Sequence, residues 1–503
     1  MGQMTEINTN NIQSLQADND RFQNRASIAE MQQMESGAEV TIIVQGYNRL
    51  EKTKRCVESI LQYTTGIDYE LILIDHGSED RTLEYFQSVN YGKKKIIHIT
   101  KNLGASYPPS VLNLKDLGRF VCPLVNDVIV TPHWLENLLI CMKSDIRIGM
   151  VNPVSSNTSN LQEVNISYKD YSSMQKKAAG FNHSDPRKWE DRQRLITLGT
   201  LFRKEALIAV GWPYIDAGFF HDFADDDITF RIRRMGYRAV LAGDTWVCHD
   251  HDVQRRQGEN LAEFQKSLSI GKANFQDKYF GVDAWDDVNN YYLPYLSYLP
   301  APKSIETMRV LGIDVLCGTP ILDIKNWLRK SGIFDTELSS FTQNPKYWID
   351  LKTICSGAVV CDREEFLSDA FLPEHFDYIV ADQPLNRYHE PQKVIDDCFS
   401  LCKKGGIMIF KLKNAFTFQS YLYHLGQRDH YDPEFSYNLP IEAVEGVLKR
   451  KGTLKNIIVV PIEFGADSQR ALNALLPAEL SANQRSQAVK RMVSKEYLLI
   501  VEK

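Results

Sequence analysis

The feature that most constrains the fold is an alternation of short apolar runs with segments of helical spacing. VTIIV (40–44), ELILID (70–75) and IIHIT (96–100) have the length of strands, and apolar residues recur at helical spacing between the first two. An unbroken apolar run indicates a strand that is buried on both faces. The alternation therefore predicts an α/β fold with a parallel sheet that is covered by helices on both sides.

Polar residues follow several of these predicted strands. In such sheets, ligands bind beyond the carboxyl ends of the strands. Tyr47, Asp75, Asp80 and Asp127 all lie at such ends, so we expect a binding site there. In LVNDVIVTPHWL (124–135), Asp127 follows an apolar run and is either a metal ligand or a turn residue that caps the next helix.

A cluster of three carboxylates, Asp225–Asp227, precedes a segment in which Ile228, Ile232 and Met235 form a helix face. Neighbouring carboxylates raise the pKa of at least one member, which suits a general base at neutral pH. Negative charge is also favourable at a helix N-terminus, so a charged helix cap is the alternative interpretation.

Two histidines, His249 and His251, follow the short apolar run TWVC (245–248). A single histidine in such a place is more often an ordinary surface or core residue. Imidazole is a common metal ligand, and this run also contains aspartates. The pair is therefore a candidate for metal binding.

The length of 503 residues exceeds what one hydrophobic core supports, so two or three domains are expected. The net charge of −6 gives no electrostatic reason to expect nucleic acid as a partner. Nine cysteines, an odd number, argue against a disulfide framework and favour the reducing cytoplasm. The polar N-terminus predicts no secretory signal, and the absence of long apolar stretches predicts no transmembrane segment.

Changes in composition and in the pattern of apolar residues divide the chain into four parts. Residues 1–38 are polar and predict an arm or a peripheral helix. Residues 39–285 form the first α/β domain, 286–304 a connector rich in proline and tyrosine, and 305–503 a second α/β domain. We therefore expect two Rossmann-like domains.

The first domain resembles the family 2 glycosyltransferases, which have the GT-A fold. VTIIVQGYNRLEKTKRCVESIL followed by ELILIDHGSEDRT is similar to the opening of that family, and NLGAS (102–106) and LVNDVIVTPHWLENLL continue it in order. The resemblance extends over roughly residues 38–260. It implies an inverting, metal-dependent enzyme whose donor is a nucleotide-sugar, with UDP as the expected nucleotide. Residues 166–194 would then be a loop on the acceptor side.

The resemblance also implies which residues bind the donor nucleotide. Asp75 would accept a hydrogen bond from uracil N3–H, which a carboxylate can do. The other residues implied are Tyr47, Gly77, Ser78, Asp80 and Asn126. As an alternative, the turn at 77–80 could simply cap the following helix.

The metal motif of the family is commonly Asp-x-Asp, and here Val125 replaces its first aspartate. The resemblance implies that Asp127 and His249 hold Mn²⁺ or Mg²⁺, with His251 in reserve. Because the carboxylate of the first aspartate is missing, contacts to the ribose or to the metal that it would make are lost.

The family's general base lies in a Glu-Asp-x-Asp-Leu motif followed by Arg, which maps onto residues 224–228 and Arg231. Asp225 is the implied base. Because Ala224 replaces the glutamate, Asp226 stays open as the alternative.

The second domain, 305–503, resembles the class I S-adenosylmethionine-dependent methyltransferases. Their Asp-x-Gly-x-Gly-x-Gly loop aligns with residues 314–320, where Leu316 and Pro320 add bulk and the proline removes an N–H. The implied cofactor pocket would contain Asp314, Gly318, Asp362 and Asp335, with Phe334 as an alternative to Asp335. We expect that this domain no longer methylates, that S-adenosylmethionine is not a cofactor, and that the domain serves acceptor recognition, docking or assembly.

Three functions follow from these patterns. The first is a glycosyltransferase that acts on a surface glycan or on a protein such as flagellin. The second is a bifunctional glycosyltransferase and methyltransferase. The third is a non-catalytic glycosylation partner, for which Val125 and Ala224 are the main indications.

Overall fold

A computed structural model gives the structure of residues 38–102, 108–216, 218–219, 223–251, 261–302, 307–424, 437–462 and 466–503. The predicted N-terminal arm (up to residue 37) and most of the NLGAS segment lie outside these ranges. The chain forms two compact units. The first comprises the described residues up to Asp185 and Arg194–Asn274, and the second comprises Pro186–Gln193 and Phe275–Lys503. The second unit therefore begins before the predicted boundary at 285 and includes the connector.

The first unit contains eight of the nine strands that precede residue 280 in the described ranges. Its first strands are β1 (Val40–Gly46), β2 (Tyr69–Asp75), β3 (Lys94–His98), β4 (Phe120–Val125), β5 (Val128–Ile129) and β6 (Ile148–Ser155). After β7 (Trp189–Asp191), which belongs to the second unit, come β8 (Leu201–Arg203) and β9 (Arg238–His249).

The helices of this part of the chain connect the strands. They are α1 (Leu50–Tyr63), α2 (Thr82–Ser88), α3 (Trp134–Ser144), α4 (Tyr171–Phe181), α5 (Lys204–Val210), α6 (Ala224–Arg234) and α7 (Leu261–Lys278). The helices expected after Asp127 and after the turn at 77–80 are confirmed, and they begin at Trp134 and Thr82. The loop predicted at 166–194 is wrong in part, because α4 occupies its middle and residues 186–193 belong to the second unit.

The first unit has one mixed sheet with the strand order β3-β2-β1-β4-β8-β6-β9-β5. Its first four strands are parallel, as the apolar runs predict, and every residue of β2 is buried. β8 runs antiparallel to both of its neighbours, and β5 runs antiparallel to β9. In the register, Gly46 is opposite Asp75 and Gln45 is opposite Val125, so three strands end at nearly the same level. This shared edge positions the site described below.

The second unit has its own sheet. Its later strands are β10 (Met308–Ile313), β11 (Thr336–Thr342), β12 (Val359–Cys361), β13 (Phe376–Ala381), β14 (Cys402–Lys413), β15 (Thr453–Pro461) and β16 (Ser494–Glu502). The helices are α8 (Thr319–Lys330), α9 (Trp348–Ile354), α10 (Pro391–Leu401), α11 (Phe418–His424), α12 (Ile441–Lys451), α13 (Ala466–Leu475) and α14 (Ala482–Met492).

The strand order of this second sheet is β12-β11-β10-β13-β14-β16-β15. The strands from β12 to β14 are parallel, and the order reverses direction beside β10, as in doubly wound folds. β16 is antiparallel to both β14 and β15 and lies between them, so β15 forms this edge of the sheet. The prediction of two Rossmann-like domains is confirmed.

All nine cysteines lie in described residues, and none forms a disulfide. Among the described residues, no helix combines the length and the apolar character needed to cross a bilayer.

Candidate active site

The loop after β1 is fixed by side chains from two other strand ends. Ser78 Oγ accepts a hydrogen bond from Asn48 N (2.9 Å), and Asp80 Oδ2 accepts one from Leu50 N (3.0 Å). Asn126 Nδ2 donates to Asn48 O (3.3 Å). Asp80 Oδ1 also accepts from Thr82 N (2.9 Å), at the start of α2. Three residues predicted to bind nucleotide therefore have a structural role in shaping this loop.

Asp127 lies in the turn between β4 and β5, where the two-residue strand β5 pairs with the end of β9. This pairing places Val128 opposite His249. The N-cap residue of α3 is His133, and no side chain caps that helix. The interpretation of Asp127 as a helix cap is therefore wrong.

Asp127, His249 and His251 form a group that could hold a metal ion. Each offers a ligand atom, and the three atoms lie within 4.8 Å of one another. Asp127 Oδ1 is 3.7 Å from His249 Nε2, and the two imidazole centroids are 5.0 Å apart. One carboxylate and two imidazoles are suitable ligands for Mn²⁺ or another divalent ion.

The orientation of His249 suits this role. Its Nδ1 is 2.9 Å from Asn157 O, and a carbonyl can only accept, so Nδ1 carries the proton. That tautomer leaves a lone pair on Nε2, the nitrogen that faces Asp127. Between the two histidines, Asp250 N donates to Asp127 O (2.8 Å), while Arg55 binds the Asp250 carboxylate at 2.9 Å.

The three carboxylates at the start of α6 have different environments. Asp226 is bound by Arg194, with 2.5 Å between Oδ1 and Nε, and both side chains are buried. Asp227 is bound by Arg231 at 2.8 Å, one helical turn later. Asp225 instead accepts a hydrogen bond from Thr197 Oγ1. Two of the three carboxylates are thus neutralised by arginine.

Asp225 combines a raised pKa with access to a cavity. Burial raises its pKa to about 6, and the charge of Asp226 adds to the shift, while the Thr197 hydrogen bond opposes it. A carboxylate with a pKa near 6 is a competent general base at neutral pH. These features distinguish Asp225 from Asp226, which the sequence left open.

One cavity of about 590 Å³ joins these groups. Asp127, His249 and His251 lie on its wall, and so does Asp225. Other residues that line it include Tyr47, Arg49, His76, Val125, Asn126 and Tyr214. The candidate metal ligands and the candidate base therefore face a common space.

Asp75 is fully buried at the end of β2. Its Oδ2 is 2.7 Å from His98 Nδ1, and its Oδ1 accepts a hydrogen bond from Ser78 N (3.3 Å). Each carboxylate oxygen has two lone pairs, so Asp75 retains the capacity to accept from a base. Gly77 has φ +74°, and a Cβ there would lie 2.9 Å from Lys101 Cα, so glycine is required by the close approach of that backbone.

In the second unit, the loop that would receive a cofactor is engaged by other residues of the same unit. Gln343 donates from its backbone N (2.8 Å) and from Nε2 (3.1 Å) to the two oxygens of Asp314. Cys317 N donates to Asp287 O (3.2 Å). A Cβ at Gly318 would lie 2.4 Å from Ile354 Cδ1, so protein side chains fill that space.

The placement of Asp335 beside this loop is wrong. Thr336 begins β11 and is opposite Met308, so Asp335 lies at the amino end of the strand, and Phe334 before it is equally misplaced. Asp314 and Asp362 follow the carboxyl ends of β10 and β12, at the other edge. The side chain of Asp362 accepts from Arg363 N (2.8 Å).

The end of β13 is covered by the predicted connector. Asp382 accepts hydrogen bonds from Asn290 Nδ2 (2.7 Å) and Tyr292 Oη (2.8 Å) and also binds Lys411. The hydrogen-bond donors around Asp314 and Asp382 thus bind residues of the same unit. The residues at this edge of the second sheet therefore do not fit S-adenosylmethionine.

Sequence patterns missed four residues of the first-unit site: Arg49, His98, Arg194 and Thr197. Arg49 lies inside the YNR segment of the recognised opening, but its left-handed backbone (φ 63°) has no sequence signal. Arg194 and Thr197 precede the carboxylates that they contact by about thirty positions, with nothing to mark the pairing.

Residues 41–186 match the family model described as Glycosyl transferase family 2. This match confirms the resemblance over that part of the chain. No curated protein matches the sequence significantly.

Three solved structures are similar to parts of the chain. GalNAc-T7 with UDP, GalNAc and Mn²⁺ has 15% identity and a TM-score of 0.34, over 42% of this chain and 44% of that one. The mannosyltransferase PcManGT from Pyrobaculum calidifontis, in complex with GDP-Man and Mn²⁺, has 15% identity and a TM-score of 0.33, over 46% and 67%. A SAM dependent methyltransferase from Archaeoglobus fulgidus has 14% identity and a TM-score of 0.29, over 46% and 98%. The chain thus spans less than half the length of GalNAc-T7, and these likenesses define neither substrate nor site.

Proposed function

We propose that the first unit is an inverting glycosyltransferase. Its donor is a nucleotide-sugar, with UDP as the expected nucleotide, and its acceptor is a hydroxyl group. The observation that supports this most is the common cavity, which is lined by a three-residue metal-ligand set and by the separate carboxylate of Asp225. Glycosyl transfer needs these two functions at two places, one at the leaving group and one at the attacking hydroxyl.

On the donor side, Asp127, His249 and His251 would hold Mn²⁺ or Mg²⁺. When bound, such an ion neutralises negative charge on the departing diphosphate. Asn157 fixes the tautomer of His249 through its carbonyl, so that Nε2 is available as a ligand. Tyr47, Asp75 and the loop shaped by Ser78 and Asp80 would receive the nucleoside.

On the acceptor side, Asp225 takes the proton of the hydroxyl as its oxygen bonds to the anomeric carbon. The bond from that carbon to the diphosphate oxygen breaks, and its electron pair leaves with the diphosphate. A single displacement inverts the anomeric centre. Thr197 Oγ1 donates a hydrogen bond to Asp225 Oδ1 and thereby orients the carboxylate, whose residue lines the cavity.

The acceptor proposed is a surface glycan or a protein such as flagellin, modified in the cytoplasm. The second unit would serve acceptor recognition, docking or assembly. A bifunctional enzyme is disfavoured because the donors around Asp314 and Asp382 are used within the second unit. A non-catalytic partner is disfavoured because the three candidate metal ligands and Asp225 line one cavity.

The test is nucleotide release from a panel of UDP-, GDP-, CDP- and dTDP-sugars, with Mn²⁺ or with EDTA. Wild type should hydrolyse one donor slowly in Mn²⁺ only, and Asp127→Ala should abolish this. Arg147→Gln, at an exposed ion pair with Asp145, is the control. If the folded wild type releases nucleotide from no donor of the panel, the proposal is contradicted.

A further inference from the structure

Arg49 occupies an unusual backbone conformation beside the proposed metal ligands. Asn48 and Arg49 both have positive φ, 54° and 63°, although neither is glycine. Asparagine tolerates this region, but the backbone of an arginine in it is strained. The surrounding structure must therefore hold Arg49 in place.

Side chains from three other segments do so. Ser78, Asp80 and Asn126 bind the backbone of residues 48–50, and Thr53 Oγ1 donates to Arg49 O (3.2 Å). Asn126 Nδ2 also donates to Thr53 Oγ1 (2.9 Å), which links the loop to the turn that carries Asp127. The Arg49 side chain thereby has a defined position relative to Asp127.

The guanidinium lies on the cavity wall. Its Nη1 is 3.5 Å from Asp127 Oδ2, while the other oxygen of Asp127 faces His249. A charge-assisted hydrogen bond is about 2.7–2.9 Å long, so this is a loose ion pair. Because arginine has five N–H donors, the group retains capacity for a second anion.

Val125, two residues before Asp127, adds no charge to this part of the cavity wall. It lines the cavity and is 41% exposed. Arg49 adds a positive charge that Val125 does not offset, which favours an anionic ligand beside the candidate metal ligands.

We propose that Arg49 binds the donor diphosphate directly and stabilises it as the leaving group. A planar guanidinium can bind two phosphate oxygens at once. Arg49 is then a catalytic residue, since it contacts the oxygens that take up the electron pair of the broken glycosidic bond. This inference rests on the proposed function. The competing role is positional, in which Arg49 only orients Asp127 for the metal.

Calorimetry without metal separates these roles. In EDTA, the wild type should bind UDP and inorganic pyrophosphate about tenfold more tightly than UMP and phosphate, respectively. Arg49→Gln should remove this preference, Arg49→Lys should retain part of it, and Arg147→Gln should keep all of it. The Mn²⁺ affinity of Arg49→Gln, measured without nucleotide, should be unchanged or increased because a competing cation is gone.

A wild-type preference for the diphosphate that survives in folded Arg49→Gln would overturn the proposal. So would a loss confined to Mn²⁺ affinity, which is the positional result. Thermal unfolding of each variant shows whether it is folded. If the wild type binds no nucleoside diphosphate even with Mn²⁺, the proposed function itself fails, and this outcome is distinct from the other two.

Discussion

Arg194 Nε lies 2.5 Å from Asp226 Oδ1, and both groups are buried. This pair neutralises Asp226, whereas Asp225 is the one of the two carboxylates that lines the cavity. The distinction between two adjacent aspartates therefore depends on an arginine thirty-two positions away in the sequence.

Asp226→Asn should destabilise the protein. Removal of one partner from a buried ion pair costs about 3–5 kcal/mol, because the remaining charge loses an interaction that offsets its desolvation. The melting temperature in thermal unfolding should fall by several degrees. Asp225→Asn is the matched control, and it should keep or increase stability at pH 8. Equal losses in the two variants would contradict the assignment.

The transfer rate should fall in acid. A general base acts in its ionised form, and the pKa of Asp225 is raised to about 6. The rate should therefore be nearly constant above pH 7 and decrease about tenfold per pH unit well below 6. The measurement is the pH profile of nucleotide release at saturating donor. A profile without a transition between pH 5 and 7 would count against Asp225 as the base.

His249→Gln should weaken Mn²⁺ binding. The imidazole supplies one of three candidate ligands, and its loss should reduce affinity by at least tenfold, as for other changes in metal ligation. The measurement is titration of Mn²⁺ by calorimetry. His133→Gln is a suitable control because His133 is exposed and pairs with Glu136. Equal affinities in both variants would remove His249 from the proposed site.

The second unit should not bind S-adenosylmethionine. Gln343 and the segment around Asp287 use the groups that a cofactor would need, and Ile354 fills the space beside Gly318. Calorimetry at millimolar cofactor should show no saturable heat. A micromolar dissociation constant would revive the bifunctional alternative.

Much of the fold could be predicted from sequence because buried parallel strands have a simple signature. VTIIV and ELILID form β1 and β2, as predicted. Because the carboxyl ends of parallel strands meet at one edge of a sheet, Asp75 and Asp127 could also be placed at the same edge. Asp335 was assigned to the wrong edge because TELSSFT, which forms β11 after it, is polar even where it is buried, as at Ser339 and Ser340. The carboxyl end of β11 is followed by Gln343 instead.

Long-range pairing limited the prediction of the site. Composition marked Asp225–Asp227 as a cluster but contained no information on which arginine neutralises which carboxylate. Likewise, Ser78, Asp80 and Asn126 were predicted to bind nucleotide, and the sequence did not indicate that their hydrogen bonds also fix the Asn48–Arg49 loop. Such roles depend on contacts between segments that are far apart in the chain.

The most direct test compares Asp225→Asn with the wild type in Mn²⁺-dependent nucleotide release and in UDP binding. If Asp225 is the base, the variant should release nucleotide at least a hundredfold more slowly, while its UDP affinity in Mn²⁺ stays within about threefold. Release at the wild-type rate by a folded Asp225→Asn would contradict the account.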